Sequence, residues 1–124
     1  EWLDAADSLV LEQVVEGIRQ YSPGNGTSLI NALNSINDFE DQPDNMFILT
    51  DGLPTQGAAP PKKYMVSGQQ RRSFFAKALE SLPGGMPVNT ILFPMEGDPE
   101  AAALFWQLGV NTQGAFIAPS RDWP

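Results

Sequence analysis

The chain has 124 residues, a natural length for one domain, and at 42% apolar and 10% aromatic it carries the side chains of a folded core rather than of a disordered segment. Fifteen acids against seven bases give a net charge of −8, which argues against a nucleic-acid partner. With neither Cys nor His, there is no disulfide, no thiol nucleophile, no Ser-His-Asp triad and none of the usual zinc sites.

No run of about 18 apolar residues is present, so no segment is expected to span a membrane. The chain opens on Glu1 without a signal peptide, and starting there rather than at Met it is expected to be cut from a longer protein. Trp2 to Gln20 reads as a helix after a short lead-in, because Leu11, Val14, Val15 and Ile18 fall on one stripe. Asp4, Asp7 and Ser8 are all possible caps for its start. Ser22-Pro23-Gly24-Asn25-Gly26 ends it in a tight loop. Thr27 or Ser28 then caps a second helix, with Leu29, Ala32, Leu33 and Ile36 on its buried side. Asp38–Asp44 is an acidic surface linker.

Met46-Phe47-Ile48-Leu49 comes next, four apolar residues without alternation, as expected of a strand buried on both faces of a parallel sheet. It breaks at Thr50-Asp51-Gly52, with Pro54 two residues beyond the glycine, which is turn chemistry. Asp51 is thereby placed at the carboxyl end of a buried strand, where open α/β sheets bind ligands, although it could also serve only to start the turn. Gln56 to about Ser67 is a long loop containing Pro60-Pro61. Lys62, Lys63, Arg71 and Arg72 leave from the same sheet end as Asp51.

A third helix is expected from about Gly68 to Leu82, with Phe74, Phe75, Ala78, Leu79 and Leu82 inward, stopped by Pro83-Gly84-Gly85. Val88–Phe93 reads as a second buried strand. Asp98-Pro99-Glu100 has the order of a helix start, with Asp98 as cap. The helix that follows carries Leu104, Phe105 and Leu108 and is expected to close at Gly109. Ala115–Ala118 is a short last strand. The Met and Phe positions are read as core, and Trp106 and Trp123 carry no functional signal. Alternating helices and strands imply three parallel strands with right-handed crossovers. Four helices are generous cover for so small a sheet, which implies that one sheet edge lacks a neighbour.

Three chemistries are conceivable. Gly24-Asn25-Gly26-Thr27-Ser28 opens a helix as phosphate loops do, but it lacks the Lys of a Walker loop, and Leu29 stands where the dinucleotide fingerprint has its third Gly. Asp51-Gly52 after a strand is similar to the haloacid-dehalogenase pattern, but Leu49 occupies the position of that family's first Asp. The third is a hard-cation site. Thr27 would offer a hydroxyl and Asp51 a carboxylate, and oxygen ligands without His or Cys suit Mg²⁺, Mn²⁺ or Ca²⁺.

Gly24-Asn25-Gly26-Thr27-Ser28-Leu29, followed about twenty residues on by Phe47-Ile48-Leu49-Thr50-Asp51-Gly52-Leu53-Pro54-Thr55, resembles the von Willebrand factor A-type domain. In that family a glycine-rich loop ending in Thr and a Thr-Asp-Gly closing a buried strand are two of the three parts of a metal-ion-dependent adhesion site. The likeness extends onward through a helix, a strand like Val88–Phe93, a helix and Gly114–Ala118. The third part, Asp-x-Ser-x-Ser after the first strand, has no counterpart here. Asp4-Ala5-Ala6-Asp7-Ser8 has the wrong order and no strand before it.

The resemblance implies a truncated three-layer, Rossmann-like α/β fold of the von Willebrand A type: a single partial domain over residues 1–124, with a small parallel sheet flanked by helices and without the first three strands. It implies a divalent-cation-dependent protein-binding module of the adhesion or scaffold kind, not an enzyme. Thr27 and Asp51 would be metal ligands, holding Mg²⁺ (or Mn²⁺ or Ca²⁺) weakly in this chain, and a partner's acidic residue would fill the open coordination position. Lys62 and Lys63 would border the partner site. A further expectation is that the exposed sheet edge makes the isolated chain aggregate or form a homodimer, or else is covered by its own N-terminal segment. The host would be extracytoplasmic (periplasmic or cell-surface) or membrane-anchored. Two other classes stand beside it: a metal-dependent phosphate-ester hydrolase using Asp51, and a structural fragment with no active metal site.

Overall fold

A computed structural model describes residues 2–22, 24, 26–62 and 65–119. In chain order the elements are α1 (Ser8–Gln20), α2 (Leu29–Asn34) with a 3-10 turn at Ser35–Asp38, β1 (Met46–Thr50), α3 (Gly68–Leu79), β2 (Val88–Leu92), α4 (Ala101–Thr112) and β3 (Phe116–Ile117). Among the described residues the fold is α/β, with four helices and one small sheet. Its three strands are parallel in the order β1-β2-β3, with Met46 opposite Val88 and Thr90 opposite Phe116. Sequential order with right-handed crossovers puts α3 and α4 on the same face of the sheet.

The core forms on that face. Val88, Thr90 and Leu92 point into it and are fully buried. Phe105 and Leu108 of α4 cover them, and Phe75 of α3 meets Phe105 edge to face at 5.0 Å between ring centroids. Leu29, Leu33 and Ile36 complete the same cluster as α2 packs on α3. The Thr90 hydroxyl is buried there without a hydrogen-bond partner. On the opposite face, at the amino end of the sheet, Asn89 ties the strands together. Its amide donates to Asn45 and to the Met46 carbonyl, and its Oδ1 accepts from the Ala115 N–H at 3.0 Å.

Several local expectations are resolved or corrected. Asp7 caps α1 by accepting from the Leu9 N–H, and Ser28 caps α2 by accepting from the Asn31 N–H. Ser67 and Gln70 form a reciprocal capping box on α3, which ends at Leu79 rather than Leu82. Asp98 does not cap α4. Its carboxylate is taken elsewhere, and the helix begins at Ala101 after Glu100, which makes no side-chain cap. Gly109 does not end α4 either. The helix runs three residues further, and Gln113 takes the left-handed conformation (φ 60°) that stops it. A Cβ on Gly109 would lie 3.2 Å from the Ala115 carbonyl oxygen, so this glycine serves the close approach of β3.

The largest correction concerns the second face of the sheet. β1 is not buried on both faces: Phe47 and Leu49 are 63% and 66% exposed. Ile117 on β3 is exposed on the same side. Among the described residues, the helix that could cover them, α1, packs against no other helix or strand, and none of its residues is buried. Its lead-in is tied down, where Trp2 donates to the Asp41 carbonyl and stacks obliquely on Phe39. Nor are all Met and Phe positions core. Phe75, Phe105 and Met86 are buried, whereas Phe47, Met65, Phe93 and Met95 are exposed. Ala32, expected inward, is exposed beside β1.

Candidate cation site at the carboxyl end of the sheet

β1 ends in a turn organised by Thr50. Its hydroxyl donates to the Gly52 carbonyl at 2.9 Å and accepts from the Gly52 N–H at 3.3 Å. The Asp51 carbonyl accepts from Met95, while Asp51 itself is exposed at the sheet end. Leu53 and Pro54 then plunge into the core, and Leu53 is only 2% exposed.

What holds this turn is a buried ion pair that sequence reasoning missed. Arg71 on α3 meets Asp98 at 2.9 Å, with side chains 14% and 6% exposed. Both grip the Leu53 peptide: the Leu53 N–H donates to Asp98 Oδ2 at 2.7 Å, and Arg71 Nε and Nη2 donate to the Leu53 carbonyl at 3.2 and 2.6 Å. The clamp passes so close that a Cβ on Gly52 would lie 2.5 Å from Asp98 Oδ2 and 3.1 Å from Arg71 Nη2. The glycine of Thr-Asp-Gly is therefore required by the ion pair as well as by the turn. Asp98 is 45 positions from Leu53, so no local pattern could have announced the contact.

Thr27 arrives from the other side, held by its own backbone. Its N–H donates to Thr55 Oγ1 at 2.8 Å, and its carbonyl accepts from the N–H groups of Thr55 and Gln56 at 3.0 and 3.1 Å. Ser28 Oγ donates to the Gly57 carbonyl, Gln56 Nε2 to the Gly26 carbonyl, and Asn31 Nδ2 to the Ala58 carbonyl. The segment after the glycine loop is thus stitched to the segment after Asp51. Thr27, Ser28, Thr50 and Gly52 line one cavity of about 150 Å³, floored by apolar residues of α2, β1 and α4, and Asp51 stands at its edge in sequence.

The bases divide. Arg71 is internal to the clamp, Arg72 pairs with Glu100 at 3.1 Å on the surface, and Lys62 is exposed on the Gln56–Ser67 loop. Lys63 and Trp123 lie outside the described residues, as do Pro23 and Asn25 of the glycine loop.

The donors suit a hard cation in kind, because the Thr27 hydroxyl and Asp51 carboxylate are both oxygen. In number they fall short. They could fill two of the roughly six positions Mg²⁺ requires. Among the described residues no three Asp or Glu side chains converge, and Asp98 is committed to Leu53 and Arg71. Compared with known proteins, the chain matches no family model, no curated protein and no solved structure.

Proposed function

We propose that this chain is part of a divalent-cation-dependent protein-binding module of the von Willebrand A type, in which Thr27 and Asp51 are two of the cation's ligands. One observation carries the reading: the hydrogen bonds between Thr27 and Thr55–Gln56 hold the loop bearing the hydroxyl against the loop bearing the carboxylate, at the sheet end where α/β folds bind ligands. The exposed Lys62, on the loop that follows Gln56, suits a partner that presents an acidic residue, because local positive charge on an acidic protein steers such a partner in.

The reading specifies weak binding by this chain alone. A single carboxylate at 4 Å gains a divalent ion only about 2 kcal/mol in water, which corresponds to a dissociation constant of tens of millimolar. Calorimetric titration with Mg²⁺ and Mn²⁺ should show such weak binding, lost in Asp51→Ala. Joining a segment with Asp-x-Ser-x-Ser ahead of residue 1 should tighten it by orders of magnitude. Binding indifferent to Asp51 would sink the assignment. A micromolar, Asp51-dependent site in the chain alone would mean that its own residues complete the ligand set.

A further inference from the structure

We infer that the Arg71–Asp98 pair sets the strength of the cation site through charge: Asp98 cancels a guanidinium that would repel the ion, and Arg71 occupies a carboxylate that would attract it. The inference rests on the reading of Thr27 and Asp51 as cation ligands. Both charges act on the turn that carries Asp51. The Leu53 N–H donates to Asp98 Oδ2 at 2.7 Å, and Arg71 donates to the Leu53 carbonyl at 2.6 and 3.2 Å. A Cβ on Gly52, the residue after Asp51, would lie 2.5 Å from Asp98 Oδ2 and 3.1 Å from Arg71 Nη2. Each charge is tied to the other at 2.9 Å and to one peptide, so both are fixed beside the turn.

The hydrogen bonds alone do not call for charged side chains. A neutral amide could donate to the Leu53 carbonyl, and another could accept from its N–H. An arginine brings a full positive charge to the turn, and at 14% exposure water screens it little. Alone it would oppose a divalent cation beside Asp51. The Asp98 carboxylate, 6% exposed, supplies the matching negative charge, so the pair presents little net charge to the site. The converse holds for Asp98, whose oxygens are of the kind hard cations take. Arg71 and the Leu53 N–H both fall on its Oδ2. Asp51 is exposed and, among the described residues, forms no ion pair. Of the two carboxylates that reach this turn, only Asp51 is left to the cation.

A unit charge about 7 Å from a divalent ion changes its binding about sevenfold even in the dielectric of bulk water. Exposing either charge of the pair by removing its partner therefore has a readable effect, and the two removals have opposite signs.

That sign separates charge from architecture, because both single substitutions destabilise the turn. Mn²⁺ titration of the full chain, followed by paramagnetic broadening of the Ser28 and Gly52 amides, reads the site, with chemical denaturation in parallel. Asp98→Asn keeps an oxygen for the Leu53 N–H but leaves Arg71 uncancelled, and should require about sevenfold more Mn²⁺ for the same broadening. Arg71→Met leaves Asp98 uncancelled and should require less than wild type by a similar factor. The double variant, with no unpaired buried charge, should fall between the two. Resonances of the folded form report the site even in a partly unfolded variant, and the double variant tests the order against either single if the other does not fold. Weaker binding in both single variants, in step with lost stability, would make the clamp architectural only. Equal binding in all three would remove its charge from the site. Either result overturns the inference. Asp51→Ala tells the two readings apart: broadening indifferent to it sinks the cation site and this inference together, whereas Asp51-dependent broadening without the stated order sinks this inference alone.

Discussion

At the scale of single residues, the ion pair between Arg71 and Asp98 is the most consequential contact near the candidate site. It is almost dry, and it satisfies both polar groups of the Leu53 peptide. Removing one partner leaves the other as an uncompensated buried charge, so Asp98→Ala should cost about 3–5 kcal/mol in chemical denaturation. Gly52→Ala should also destabilise, because its Cβ would strike Asp98 Oδ2, and the far end of that side chain cannot retreat without releasing Leu53. Thr90 points the other way. Its hydroxyl is buried with no partner, so Thr90→Val removes a desolvated group at nearly constant volume and should stabilise by about 1 kcal/mol on the same measurement. A loss on Thr90→Val would show that the hydroxyl is satisfied in solution.

At the scale of elements, the sequence narrowed the helix starts without always choosing the cap: Asp7 was one of three candidates for α1, Ser28 one of two for α2, and the Ser67–Gln70 box of α3 was not read. Asp98 had the same local credentials and failed, because a backbone N–H from a distant turn and a guanidinium offered its carboxylate more than the first turn of α4 did. α1 shows the opposite limit. Its apolar stripe was plain in the sequence, but periodicity reports a face and not what the face meets. Leu11, Val15 and Ile18 are all exposed. Replacing Ile18 by Gln should therefore change the unfolding free energy by no more than about 0.5 kcal/mol, whereas Leu33→Ala, at 1% exposure in the core, should cost about 2–5 kcal/mol. Equal effects at the two positions would mean that α1 packs in solution.

At the scale of the whole molecule, net charge and the open face of the sheet set the behaviour. With fifteen acids against seven bases, self-repulsion opposes the compact state and salt screens it. The thermal midpoint should rise between low and moderate NaCl, and a flat or falling midpoint would assign the charges to local pairs instead. The same surplus makes exposed Lys62 a rare positive point on the Gln56–Ser67 loop. In a protein with a working cation site, Lys62→Glu should slow association with an acidic partner at low salt. Unchanged on-rates would remove the loop from the interface.

The sequence by itself determined the alternation of helix and strand, the parallel sheet, the turn after β1, and the placing of Asp51 at the sheet's carboxyl end. Each of these follows from periodicity, breakers and connection rules that act over short stretches. It also singled out Thr27 and Asp51 as oxygen donors on two loops. Only the tertiary structure decided that backbone bonds join those loops through Thr55, that Asp98 serves Leu53 and not α4, and that one face of β1 stands open. The last was illegible because Met46-Phe47-Ile48-Leu49 is apolar on both sides. Such a run says that both faces suit burial, and only the positions of the helices say which face is buried.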